Sequence, residues 1–162
     1  MNDYSQIKAQ LDCLHIHFQL IEHPAVFTAE EADRYVADIP CMKTKSLFLT
    51  DKKKTTYYLV FVKDDQRLDM KKFAQTVGKK HLKFASDQSL LEKLGIESGS
   101  VSIFSLLNNE TKDVQIYFEK SVVGRLPLTF HPNDNTKTML LKPEDLFKFL
   151  KSIGFSYQII EL

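Results

Sequence analysis

Three polar stretches, far apart in the 162-residue chain, carry the groups best able to do chemistry. Lys43-Thr44-Lys45-Ser46 leads into the apolar run Leu47-Phe48-Leu49, with Thr50-Asp51 behind it. A lysine ammonium at a strand start, here beside Lys43 and Asp51, can pair with a phosphate or stabilise a developing oxyanion. Gly99-Ser100-Val101-Ser102 is a small-residue loop ahead of an expected strand. It allows close backbone approach, and its amides and hydroxyls can donate to a carbonyl or accept from an ammonium. Phe130-His131-Pro132-Asn133-Asp134-Asn135-Thr136 ends an apolar run with an imidazole that can orient a ligand or carry a proton. Pro132 favours extended backbone at His131. Taken singly, each stretch also reads as ordinary surface: a solvated lysine, a small turn, a loop histidine.

Other chemistries find less support. There is no GxSxG, and neither Cys13 nor Cys41 neighbours a base, so a side-chain nucleophile has no local signature. His15-Ile16-His17 would set two imidazoles on one face of a strand, but no third ligand follows nearby. Neither a metal nor another cofactor is expected. Twenty-two basic against 21 acidic residues give a net charge of +1. That balance argues against a long nucleic-acid footprint and against DNA, and confines any RNA contact to a patch. Lys52-Lys53-Lys54, Lys71-Lys72 and Lys79-Lys80 read as solvated faces that can add salt-sensitive backbone contacts. The isolated cysteines fit a reducing compartment. No apolar run reaches the roughly 18 residues of a membrane helix, and Met1-Asn2-Asp3-Tyr4 opens no signal peptide. The expected location is the cytoplasm, with no membrane partner.

These groups need elements to hold them. Ile7, Leu11 and Leu14 predict a first helix over 5–14, and Phe18, Leu20 and Ile21 a strand. Thr28 and Glu31 form a capping-box pattern before a helix over 29–35. Runs at 46–50 and 57–62 predict a hairpin with a basic turn. Asp69 and Gly78 bracket one helix, and Ser86 and Gly95 another, around a brief strand at 82–84. Runs at 101–107 and 114–118 read as a second hairpin, and 128–130 with 138–141 as a third. Pro143 starts the last helix, Gly154 follows it, and 157–160 closes as a strand. No repeat or linker interrupts the chain. A single α+β domain over 1–162, built around a mixed sheet flanked by helices, is expected.

The three stretches also occur in a specific order with others. Glu22-His23-Pro24-Ala25-Val26-Phe27-Thr28-Ala29-Glu30-Glu31-Ala32 closely resembles the opening segment of the YbaK-like prolyl-tRNA editing family. Lys45 to Lys53 resembles the family's lysine-bearing strand. Phe84-Ala85-Ser86, Leu94-Gly95, Gly99 to Ser102 and Phe130 to Thr136 follow in family order, so the likeness runs from about Leu14 to Gly154. The resemblance implies a mixed, partly closed β-sheet flanked by helices. It also implies a deacylase hydrolysing mischarged tRNA, typically alanine on proline tRNA, without a side-chain nucleophile and with help from the tRNA's own terminal hydroxyl. Its partners would be the acceptor end of that tRNA and, further, prolyl-tRNA synthetase. Carried over by position, Lys45 is the catalytic candidate, holding the terminal phosphate or the reacting ester. Gly99, Ser100, Val101 and Ser102 would embrace the aminoacyl group. His131, with Asn133, Thr44 and Ser46, would complete substrate binding. The family often has asparagine where this chain has Ser46, proline where it has Ile103 and glycine where it has Ser105. A change in the pocket's floor is therefore expected at Ile103. The departures keep open two further readings: a deacylase for another small amino acid such as cysteine or serine, and a non-catalytic sensor of aminoacyl-tRNA or of an amino acid. A protein-interaction domain reusing the fold is a third.

Overall fold

Tyr57-Tyr58-Leu59-Val60-Phe61-Val62 is apolar at every position, and a strand of that kind must be covered on both faces. In the computed structural model, which describes residues 3–97 and 101–162, this run forms the centre of the larger sheet. The chain runs α1 (Tyr4–Cys13), β1 (Gln19–Glu22), α2 (Ala29–Arg34), β2 (Thr44–Asp51), β3 (Tyr57–Lys63), α3 (Met70–Thr76), β4 (Leu82–Phe84) and α4 (Asp87–Leu94). A 3₁₀ helix at Ile103–Asn108, β5 (Val114–Glu119), a 3₁₀ turn at Lys120–Val122, β6 (Leu128–Phe130), β7 (Lys137–Leu141), α5 (Pro143–Ser152) and β8 (Tyr157–Ile160) follow.

The five-stranded sheet has the order β4-β2-β3-β5-β8 and the three-stranded one β1-β7-β6. Antiparallel β2–β3 and parallel β3–β5 and β5–β8 make the larger sheet mixed, in agreement with the expected α+β class. Tyr57, Leu59 and Phe61 face the main core, which α1, α4 and α5 cover. Tyr58, Val60 and Val62 face a smaller one containing Phe73 of α3. Phe61 stacks on Phe118 of β5 at 4.9 Å and meets Phe130 of β6 edge-on at 5.7 Å, so the two sheets share one core. Burying a ring of that size contributes about 1.5–3 kcal/mol.

A seam of backbone bonds joins the sheets where β2 begins. Met42 N–H donates to the Pro127 carbonyl (2.7 Å) and Thr129 N–H to that of Met42 (3.2 Å). The Thr44 hydroxyl donates to the Thr129 carbonyl at 3.0 Å. This seam brings the start of β2 against the end of β6.

The expected caps form at Asp69 and Ser86, and Gly95 takes the left-handed conformation that ends α4 (φ +64°). Thr28 caps α2 by accepting from Glu31 N–H, but Glu31 reaches back one residue further, to Phe27 N–H. Two expectations fail. Residues 101–107 contribute no hairpin strand, because Ser102 and Ser105 cap each other and start the 3₁₀ helix, while β5 pairs parallel with β3. His15 and His17 are not on a strand; His15 sits at φ +56° in the turn after α1. Among the described residues no helix is long and apolar enough to cross a membrane.

Candidate active site

The seam opens into a cavity of about 220 Å³ lined by four segments. The start of β2 supplies Thr44, Lys45 and Ser46; the loop before the 3₁₀ helix supplies Val101 and Ser102. β6 and its following loop supply Thr129, Phe130, His131 and Asn135, and Thr138 comes from β7. The segment around α2 closes the remaining side with Val26, Phe27, Thr28, Ala32, Asp33 and Val36. Sequence distance thus collapses: Lys45, Val101, Ser102 and His131 share one wall system. Gly99 and Ser100 lie outside the described residues.

Lys45 is half-buried, and no ion pair engages it among the described residues. An ammonium so placed is available to an incoming anion or oxyanion. Asp51 is not its neighbour: it ends the same strand and is taken up by Thr55, Thr56 and Lys79. Thr44 spends its groups on Thr129, donating from both N–H (3.4 Å) and hydroxyl (3.0 Å), and so braces the seam. Ser46 lines the cavity beside it.

The loop at Ser102 is more committed than a run of free amides. Its N–H donates to Ser105 Oγ (3.1 Å), and its Oγ accepts from Phe104 N–H (3.2 Å). Ser105 Oγ also donates to Asn133 Oδ1 at 3.1 Å, tying this loop to the one after β6. Asn133 adopts φ +56°, a conformation asparagine tolerates better than most residues. It braces the two loops and is not a lining residue. Ser105 therefore replaces glycine with a tether. Ile103 is fully buried in the main core and does not line the cavity, so the expected change to its floor is not seen there.

His131 donates from Nδ1 to the Lys137 carbonyl (3.0 Å), which leaves Nε2 as its remaining hydrogen-bonding atom. Burial lowers its pKa below the usual histidine value; the Lys137 carbonyl opposes that, and nearby His23 reinforces it. His23, buried, donates from Nδ1 to the Pro24 carbonyl, so Nε2 accepts from the Thr138 hydroxyl, both at 2.8 Å. Its ring stacks on Tyr35 at 4.7 Å and meets His131 edge-on at 6.5 Å. Reciprocal bonds between Val26 and Asn135 (3.1 and 3.0 Å) sew the segment before α2 to the His131 loop.

Asp33, Thr129, Thr138 and Asn135 were not among the sequence-derived candidates. The apolar residues Ala32 and Val36 around it could have drawn attention to Asp33. Asp33 is the one carboxylic acid among the lining residues. Burial, then the hydrogen bond and charge of Asp64, push its pKa up to about 7 against the opposing Lys43. Burial also raises the Cys41 thiol, which makes it a poor nucleophile at neutral pH. No group of three or more potential metal ligands occurs among the described residues.

Comparison with known proteins agrees with this geometry. Residues 23–149 match the family model described as an aminoacyl-tRNA editing domain. The prolyl-tRNA editing protein ProX of Acetoanaerobium sticklandii is 40% identical over 162 residues, covering 100% of this chain and 99% of that protein. The mouse prolyl-tRNA synthetase associated domain-containing protein 1 is 34% identical over 154 residues, covering 93% and 90%. A crystal structure described as that of a candidate trans-editing enzyme for prolyl tRNA synthetase shares the fold. Its TM-score is 0.74 at 23% identity, covering 96% of this chain and 93% of that one. With the family model spanning most of the sequence and the lysine, serine and histidine segments converging on one cavity, the chain belongs to the aminoacyl-tRNA editing domain family and is an aminoacyl-tRNA deacylase.

Proposed function

We propose that the protein acts in trans on mischarged tRNA, removing alanine from proline tRNA foremost. The observation that carries this reading is the convergence of Lys45, Val101, Ser102 and His131 on a chamber of about 220 Å³ with both polar and apolar walls. A synthetase pocket built for proline discriminates poorly against a smaller amino acid, since each missing methylene costs only ~1–3 kcal/mol. A second chamber that admits the small side chain and excludes the larger one supplies the missing selectivity. Val26, Ala32, Val36, Val101 and Phe130 are the walls suited to that exclusion.

In the reaction, water adds to the ester carbonyl carbon, the bond to the ribose oxygen breaks, and that oxygen leaves with a proton. Negative charge develops on the carbonyl oxygen and then on the ribose. Lys45 is the residue proposed to meet that charge or the adjoining phosphate of the acceptor end. His131 is proposed to accept, through Nε2, a hydroxyl proton of the terminal nucleotide. Ser46, Ser102 and the segment that includes Gly99 and Ser100 are proposed to embrace the aminoacyl group. Thr44 and Asn133 hold these pieces in register. Association with prolyl-tRNA synthetase, in the cytoplasm, is proposed from the names of the relatives.

The test is ester loss from alanyl-, cysteinyl-, seryl- and prolyl-tRNA in the presence of purified protein. Alanyl-tRNA should be hydrolysed fastest and prolyl-tRNA spared. Lys45→Ala should lower turnover roughly 10²–10³-fold, the usual cost of removing one charge-stabilising group. Inertness toward every ester would overturn the reading, and binding without turnover would turn the chain into a sensor.

A further inference from the structure

An aminoacyl ester presents two features to its enzyme besides the reacting carbonyl: a side chain and an α-ammonium. The walls described above address the side chain, and Lys45 is of the wrong sign for the ammonium. We infer that Asp33, backed by Asp64, is the specificity-determining acceptor for the α-ammonium of the bound aminoacyl group.

Three observations carry this assignment. Asp33 lines the same cavity as Lys45 and is its one lining carboxylic acid among the described residues, so the chamber has a cationic and an acidic wall. Ala32 and Val36, 6% and 1% exposed, lie on either side of Asp33 at the end of α2 and in the turn after it, and anchor that stretch against the protein. Asp64 follows β3, where its N–H donates to the Lys43 carbonyl at 3.1 Å, and its carboxyl lies near enough to Asp33 to help raise that group's pKa. Two carboxyls so near each other form an acidic wall whose like charges repel. A positive ligand matches it.

The charged and titratable groups around the pair are few. Asp64 and Lys43 come from the β3 end and the β2 approach, Glu30 from α2, and Cys41 from the connection before β2. Lys43 favours the ionised form while Glu30 and Asp64 oppose it, which agrees with a carboxyl pushed up to about 7. An ammonium arriving beside the pair adds the charge that this environment lacks. Discrimination for the ammonium should then weaken as pH falls below about 7, where Asp33 takes up its proton.

The assignment rests on the deacylase reading, and the experiment separates the two. The full chain is assayed on alanyl-tRNA and on its α-hydroxy counterpart, lactyl-tRNA, which has the same ester and methyl group but no ammonium. Wild type should favour the alanyl ester roughly 10- to 100-fold in kcat/KM, the range of one charge-assisted hydrogen bond. Asp33→Asn should bring the two rates within about threefold by slowing the alanyl ester alone. Asp64→Asn, which keeps the Asp33 carboxyl, should retain the preference and move its acid-side loss to lower pH. Equal slowing of both esters by Asp33→Asn would mean a merely structural role and overturn the assignment. So would a wild type indifferent to the ammonium. Wild-type inertness toward both esters would overturn the deacylase reading along with it.

Discussion

Asp51→Asn is expected to cost about 2 kcal/mol of stability at neutral pH while leaving catalysis untouched. The Asp51 side chain is only 10% exposed and closes the β2–β3 turn. It accepts from the Thr55 hydroxyl, from Thr55 N–H at 2.7 Å and from Thr56 N–H at 3.3 Å, and pairs with Lys79 at 3.4 Å. The Thr55 hydroxyl is the largest influence, and together these donors lower the carboxyl from 3.8 to about 2 despite its burial. At about 1.36 kcal/mol per unit, that depression corresponds to about 2 kcal/mol of folding free energy. The contribution is fully present above the unfolded carboxyl's value near 3.8 and is lost as pH falls towards about 2. Urea unfolding followed by circular dichroism should therefore show a wild-type advantage at pH 7 that shrinks steadily below about pH 4. The melting temperature at pH 7 should drop by about 4–8 °C for a chain of this size. Lys45 lies six residues away on the same strand, roughly 20 Å at 3.3 Å per residue, so deacylation at 25 °C should not change. Lys79→Met, removing only the one-third-exposed partner, should cost about 0.5 kcal/mol or less. A stability difference independent of pH, or none at pH 7, would refute the linkage.

Thr138→Val keeps shape but strands the Nε2 of buried His23, and thermal unfolding should show a loss of about 1–3 kcal/mol. Ser105→Gly restores the residue common in the family but cuts the tether to Ser102 N–H and Asn133; about 1–2 kcal/mol of stability should go, and KM should rise more than kcat falls. His131 has a lowered pKa, so its contribution to stability is full above the unfolded value of about 6.5 and falls as acid charges the folded ring. His131→Asn should therefore flatten the stability profile on the acid side of about pH 6.5, measured by urea unfolding.

Local chemistry is legible along this chain because caps and strand runs act over a few residues. Thr28, Asp69, Ser86 and Gly95 begin or end helices as their types dictate, and the runs expected at 57–62, 128–130 and 138–141 form strands. The family was legible for a different reason: ordered short motifs are specific in combination, and the model match over 23–149 agrees. Residues 101–107 misled because an apolar run that short fits a strand or a 3₁₀ helix equally well. The mutual cap of Ser102 and Ser105 decided it, and β5 then paired parallel with β3 instead of turning back on its neighbour in sequence.

Sequence alone named Lys45, Ser102 and His131 because each is polar beside an apolar run. It did not single out Asp33, and it had no means of demoting Asn133 and Thr44 to braces. Those roles depend on which backbones meet across the Met42–Leu128 bridge, a contact between residues 86 positions apart. Hydrogen bonding and burial at such a seam are properties of the packed chain, so only the tertiary structure could decide which polar groups were spent on holding it and which were left to face a substrate.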